Sequence, residues 1–212
     1  MSALAVFESA FRRAAAGQPA AFTVRGVTFD PAIWCRDDVP GDAALLDVCT
    51  GATLDVGCGP GRLTAALARS GRPALGIDIS AAAIRIARRR GATALRRDVF
   101  DPLPGPGRWP HLLLADGNIG IGGDPARLLR RCRRLLAADG RVHAEFAPPG
   151  APSWSGAATA HRGRRSIALA WASVAFDDVG AMAAAAEMRV LDTRTEAGRW
   201  FATLTPRRFD AG

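Results

Sequence analysis

Hydrophobic positions along this chain alternate between short continuous runs and helical spacing. Thr53 to Val56, Ala74 to Asp78, Ala92 to Arg97, Leu112 to Ala115 and Arg141 to Phe146 are runs short enough for buried strands. The segments between them read as helices: Arg62 to Ala68, a second between a capping Ser80 and a terminating Gly91, and Pro125 to Ala138, opened by Asp124-Pro125 and ended by Gly140. In this last helix Leu128, Leu129, Cys132, Leu135 and Leu136 fall on one face and Arg127, Arg130, Arg131 and Arg134 on the other. Strand and helix in strict alternation predict a parallel sheet covered on both faces. Before this core, residues 3 to 16 read as a helix stopped by Gly17, followed by Phe22 to Val24 and a loop through Trp34 to Pro40. After it, 157 to 162 and 166 to 174 flank Gly163-Arg164-Arg165 as a β-hairpin, Asp177 to Met188 reads as a helix, and Val190 to Arg194 with Trp200 to Thr205 as a final antiparallel pair.

The run LDVGCGPGRLTAAL, Leu54 to Leu67, is the most informative stretch. A buried strand turns through Gly57, Gly59 and Gly61 into a helix, and glycines there permit a backbone path that side chains would block. A dinucleotide fingerprint is GxGxxG, but here the third glycine comes two residues after the second and Arg62 stands where that fingerprint ends. The second strand ends in Asp78, the third in Asp98-Val99 and the fourth in Asp116-Gly117-Asn118.

This ordered set, with Asp55 ahead of the turn, resembles the class I S-adenosylmethionine-dependent methyltransferases over residues 53 to 146. The resemblance implies an α/β, doubly wound, Rossmann-like, seven-stranded and mostly parallel sheet with helices on both faces, an N-terminal helical cover and an inserted β-hairpin. It implies S-adenosyl-L-methionine as cofactor, held by Asp55, Gly57, Cys58, Gly59, Gly61, Arg62, Asp78, Ile79, Asp98, Val99 and Asp116. The glycines would approach its methionine part, Asp78 its ribose hydroxyls, Ile79 the adenine face, and Asp98 with Val99 the adenine amino edge. Residues 1–212 are expected to form a single domain, with 1–50 as cover, 51–150 as the cofactor-binding half and 151–212 as the acceptor-side half.

Composition narrows the partners. With 49% apolar residues in 212, a sizeable core is available, and no apolar run is long enough to span a membrane. Cys35, Cys49, Cys58 and Cys132 lack metal-ligand spacing, so neither disulfides nor a metal is expected, and the cytoplasm is the expected compartment. The net charge of +8 invites a nucleic-acid partner, yet every basic side chain is arginine, which reads as a compositional habit. No nucleic acid or membrane partner is therefore expected, and oligomeric state is not legible.

Ligands of open α/β sheets collect at the carboxyl ends of the strands. His111, ahead of the fourth strand, falls at the opposite edge as a surface or loop residue; His143 reads as a hydrogen-bonded sheet residue; His161 sits in the hairpin, where it could fold over an acceptor. Glu145 and Asp116, at neighbouring strand ends, are the candidate catalytic carboxylates, Glu145 as an untethered general base. The loop Asp116 to Gly123 lacks the Pro-Pro-aromatic motif of many nucleic-acid amino methyltransferases, and its glycines could form a nest of amides for an anionic acceptor. Trp34, Gly117 and Asn118 are the candidate acceptor contacts, with Trp109 a further apolar wall. The expected activity is methyl transfer to an oxygen or nitrogen of a small molecule by in-line displacement. The alternatives are a nucleic-acid methyltransferase, a non-catalytic regulatory subunit and, least in keeping with the glycine spacing, a dinucleotide-dependent reductase.

Overall fold

The computed structural model describes residues 3–207. The chain begins with helix α1 (Ala3–Ala15), the short strands β1 (Phe22–Val24) and β2 (Val27–Phe29), and helices α2 (Pro31–Trp34) and α3 (Asp42–Leu46). The alternating core follows: β3 (Thr53–Val56), α4 (Arg62–Arg69), β4 (Ala74–Asp78), α5 (Ala81–Arg89), β5 (Ala94–Arg96), β6 (Trp109–Leu114), a 3-10 stretch Asn118–Gly123, α6 (Pro125–Leu135) and β7 (Leu136–Phe146). The chain then forms the hairpin β8 (Trp154–Arg162) and β9 (Arg165–Ser173), helix α7 (Val179–Ala185), and strands β10 (Met188–Glu196) and β11 (Arg199–Pro206).

Seven strands form one sheet in the order β10-β11-β7-β6-β3-β4-β5, with β11 antiparallel to both its neighbours. The strand order reverses between β3 and β6, which places a crevice at their carboxyl ends. All four residues of β3 are buried, as a central strand covered on both faces demands. The helices start as the sequence dictates: Ser80 Oγ accepts from Ala83 N, and Asp124 Oδ1 accepts from Arg127 N with Pro125 in the first turn. Leu54, Leu112, Leu114, Leu128, Leu129 and Val142 are fully buried between sheet and α6.

Two helices end well before their expected limits. Helix α6 ends at Leu135, three residues before Ala138, and Gly140 lies inside β7. The cause is a long-range pairing: Leu136 pairs with Trp109, the register shifts between Trp109 and His111, and a Cβ at Gly140 would come within 2.8 Å of the Trp109 carbonyl oxygen. That glycine admits a neighbouring strand and does not stop a helix. Helix α7 is likewise shorter than 177 to 188, because Met188 opens β10 opposite Pro206.

The hairpin is longer than its sequence pattern and does not stand alone. Val24 and Thr23 pair with Ala160 and His161, so a second, four-stranded antiparallel sheet forms in the order β2-β1-β8-β9. It sits on the loop after β6. A methyl at Gly120 would overlap the Ala172 carbonyl oxygen and meet Trp171 Nε1 at 2.7 Å, and one at Gly123 would come within 3.0 Å of the Gly156 carbonyl oxygen. Two glycines of a loop expected to cradle an anion, Gly120 and Gly123, thus seat the hairpin, whereas Gly122 lines the cavity at the strand ends, where a Cβ would meet Phe100 at 2.8 Å. Gly120→Ala should therefore cost about 2 kcal/mol of stability, the usual scale for overpacking against backbone that cannot yield. A urea midpoint equal to the parent's would show that the hairpin does not rest there.

Candidate active site

A cavity of about 480 Å³ opens at the carboxyl ends of β3, β4 and β6. Its floor is the turn between β3 and α4. Gly57 and Gly59 hold φ of +73° and +53°, and Phe11 Cζ lies 3.5 Å from where a Cβ on Gly59 would stand. Asn118 clips the turn from above, donating from Nδ2 to the carbonyls of Val56 and Gly57 at 3.0 and 2.9 Å. Gly61 has another task. It does not line the cavity, and a Cβ there would strike that of Ala87 at 2.6 Å, so it lets α4 pack against α5.

At the end of β4, Asp78 accepts from Gly59 N at 3.0 Å through Oδ2 and from Ser80 N at 2.7 Å through Oδ1. Burial pushes its carboxyl up to about 6, against the pull of those amides. Ile79 beside it is 36% exposed, an apolar face open to the cavity, and Asp98, which accepts from Phe100 N at 2.9 Å, closes the same edge with buried Val99. Asp55 lies beneath the turn with Oδ2 2.6 Å from the Thr64 hydroxyl, and burial raises it to about 6. Cys58 is buried, its thiol pushed far up by burial, and it packs among Ala65, Ile84 and Ala87.

Five charged groups join five parts of the chain under one end of the cavity. Arg62, 3% exposed, pairs with Asp42 of α3 and with Asp116 at 2.6 Å. Arg199, at the tip of the β10–β11 hairpin, pairs with Asp42 at 2.9 Å, with Asp116 at 3.2 Å and with both oxygens of Glu145. Three carboxylates face two guanidiniums, a surplus of one negative charge, and of these groups Arg62 and Asp116 line the cavity. Burial raises Asp116, with the Glu145 charge adding to it against Arg62 and Arg199. For Asp42 the balance is the reverse: burial would raise it, but Arg62 and Arg199 hold it below the usual carboxylate range.

The roof comes from elements far away in sequence. Phe7 and Phe11 of α1, Trp34 at the end of α2 and Trp171 of β9 face the cavity. Phe7 lies 5.5 Å from Trp171 and Phe11 5.9 Å from Trp34, ring centre to ring centre, with Phe29 between the two tryptophans. Glu8 fastens α1 to the start of α5 by accepting from Ser80 Oγ and Ala82 N.

Several expected site residues lie elsewhere. Glu145 does not line the cavity and is not untethered: Arg199 grips both its oxygens and Asp116 N donates to Oε2 at 2.7 Å. Gly117 turns the chain at φ +81° but stands outside the cavity, and Trp109 donates to the Pro104 carbonyl. His161 is exposed and bonds Ser166. His111 is buried, not at the surface. Its Nδ1 lies 3.0 Å from His143 Nε2, and His143 Nδ1 lies 3.0 Å from the Thr203 hydroxyl, with Thr50 at the far end. Burial drives His143 down to about 3, so the chain of bonds holds neutral rings. Cys49 lies close enough for its sulfur to fall within 4.8 Å of both, at the edge of the sheet opposite the cavity.

Residues 53–140 match the family model described as a methyltransferase domain. No curated protein matches the chain by sequence. Among solved structures, a methyltransferase from Bacteroides fragilis in complex with S-adenosyl-L-homocysteine superposes over 95% of this chain and 94% of its own, at 20% identity and a TM-score of 0.75. The 1,6-didemethyltoxoflavin-N1-methyltransferase of Burkholderia thailandensis covers 77% of this chain and 75% of its own (20% identity, TM-score 0.56). A TehB-like methyltransferase from Corynebacterium glutamicum covers 81% and 89% (19% identity, TM-score 0.58). At such identities the likeness is one of fold. The glycine turn and the acidic strand ends that follow it in order thus lie in a stretch, residues 53–140, that is similar to a methyltransferase domain, on a fold shared with a methyltransferase solved with S-adenosyl-L-homocysteine.

Proposed function

We propose that the protein transfers the methyl group of S-adenosylmethionine to a small-molecule acceptor held between the glycine turn and the aromatic roof. The carrying observation is one cavity that joins a glycine turn, the Asp78 carboxylate and uncharged aromatic walls. The donor set fits this cofactor. Gly59 leaves bare backbone facing the cavity, Gly57 makes room for the Asn118 amide that fixes the turn, Asp78 is an ionisable acceptor that suits a cis-diol, and Ile79 offers an apolar face. The surplus negative charge ending at Asp116 suits a ligand that carries positive charge. Asp78 would hold the ribose, Ile79 and Val99 the adenine, and Asp98 its amino edge; Asp55, Cys58 and Arg62 shape the turn from below.

When bound, S-adenosylmethionine supplies an already activated methyl group. The chain's residues then have three tasks: to hold the acceptor at the right distance, to exclude water and to keep the turn rigid. Phe7, Phe11, Trp34 and Trp171 cover the cavity, and Asn118 fixes the turn. No catalytic base is required of Glu145, whose place in the ion-pair network makes it a brace. Glu145→Gln should cost about 1.5 kcal/mol of stability, the scale of hydrogen bonds to a charged group. Affinity for S-adenosylhomocysteine should stay within about twofold; a large loss by calorimetry would return Glu145 to the site.

The positive charge does not favour a nucleic-acid substrate. On α6, Arg130 is spent on the Ala185 carbonyl, Arg131 on those of Val99 and Asp101, and Arg133 on Glu187. The reading as a whole is tested by calorimetry. S-adenosylmethionine and S-adenosylhomocysteine should bind with NADH inert, and tight NADH binding with no response to either would overturn it.

A further inference from the structure

Resting on that reading, we infer that the acceptor is a flat aromatic or heteroaromatic molecule without a carboxylate or phosphate, methylated on a hydroxyl or ring nitrogen that needs no protein base. Three observations carry this.

The first is the division of the cavity. Its charged side chains lie on the floor and at the edges; its roof is Phe7, Phe11, Trp34 and Trp171, backed by Phe29 and Phe22. Aromatic rings recognise flat π-systems by offset or edge-on packing, while a carboxylate or phosphate lodged under them would lose hydration with nothing in return.

The second is that the floor charges already have partners. Asp78 and Asp98 accept backbone amides, Asp55 accepts the Thr64 hydroxyl, Arg62 and Asp116 hold one another, Arg97 donates to the Arg96 carbonyl, and the Arg127 guanidinium lies 4.0 Å over the Phe100 ring. An acceptor carboxylate or phosphate would have to compete with these contacts for a guanidinium.

The third concerns the proton. Asp116 is the carboxylate between floor and roof, and its oxygens are taken by Arg62 and Arg199. A nucleophile here must therefore lose its proton to water before the transfer, as an acidic phenol or enol does, or present a lone pair, as a ring nitrogen does. That lone pair forms the new bond to the methyl carbon, the carbon–sulfur bond breaks, and its electron pair stays on sulfur. Aliphatic alcohols, whose protons leave far above neutral pH, are excluded by the same reasoning.

The test uses the full chain saturated with S-adenosylhomocysteine, so that only the acceptor subsite is open. 8-Hydroxyquinoline and 3-hydroxypyridine are compared with ethanolamine and glycerol by saturation-transfer NMR and calorimetry. The planar probes should bind and the aliphatic ones should not. Trp171→Ala and Trp34→Ala should each weaken the planar probes about tenfold, the scale of a lost aromatic stack, with S-adenosylhomocysteine affinity unchanged. Trp171→Phe, which keeps a ring and the packing on Phe7, should stay within about threefold and decides the matter if Trp171→Ala loses its melting transition. Equal or tighter binding of the aliphatic probes, or planar probes indifferent to both tryptophans, overturns the proposal while leaving methyl transfer intact. Failure of the parent protein to bind S-adenosylhomocysteine overturns the underlying reading instead.

Discussion

Replacing Arg62 by methionine should destabilise the fold by about 3–5 kcal/mol, the usual cost of removing one partner from a buried ion pair. The side chain is 3% exposed, and its guanidinium stands between Asp42, itself buried, and Asp116. Methionine fills much of the volume, so the loss is of charge more than of packing. Arg199 would then face three carboxylates alone. The pH dependence separates the causes. Without Arg62, Asp116 would be raised further above its unfolded value, so the folded state would bind the extra proton and the deficit would shrink as pH falls. A larger loss at pH 8 than at pH 5 is expected from urea midpoints; an equal loss at both would mean that packing dominates. Arg62→Lys should fall between, since one ammonium cannot span both carboxylates as a guanidinium does.

The part of this molecule around the glycine turn is legible in the sequence because its rules are local. A glycine turn, a cap at Ser80 and a carboxylate closing each strand are read within a few residues, and each stands at the expected edge of the sheet. Even here spacing misleads about purpose. Gly61 belongs to the same three-glycine pattern as Gly57 and Gly59, but the side of the backbone that meets Ala87 is set by where α5 packs. Gly140 shows the same limit: the sequence offers a stop signal, and the pairing of Leu136 with Trp109 turns it into a strand residue.

The aromatic roof and the charged network are harder to read because long-range pairing builds them. Phe7 and Phe11 stand four apart on α1, a signal for an apolar face, though not for what that face covers. Trp171 enters the roof because β1 pairs with β8, which carries β9 onto the loop after β6. Nothing near Arg199 marks it as the clamp of Asp42, Asp116 and Glu145, and without it Glu145 looks like a free base. Topology puts His111 at the correct edge of the sheet, but its burial depends on His143, 32 residues away in sequence, which no local pattern reveals.

The second large effect concerns Asp78. Asp78→Ala should weaken S-adenosylhomocysteine by about 1.5–3 kcal/mol at pH 8, the scale of hydrogen bonds to a charged group. The carboxylate is also the group whose titration should govern cofactor affinity. In the unliganded protein it is raised to about 6 by burial, so it is ionised at pH 8 and largely protonated at pH 5. Ribose hydroxyls donate best to the ionised form, so affinity should fall by about tenfold for each pH unit below 6. For the fold alone the sign is opposite. With its folded value above the unfolded ~3.9, the group binds more protons when folded between about 4 and 6, so the stability it contributes at low pH fades as pH rises through that window. Ionised Asp78 is thus costly in the empty cavity and useful in the occupied one, and ligand-induced stabilisation should be larger at pH 8 than at pH 5. Asp78→Asn should abolish the slope of affinity with pH while keeping one acceptor oxygen. If the slope survives in that variant, it belongs to Asp55 or Asp116, the other raised carboxylates lining the same cavity.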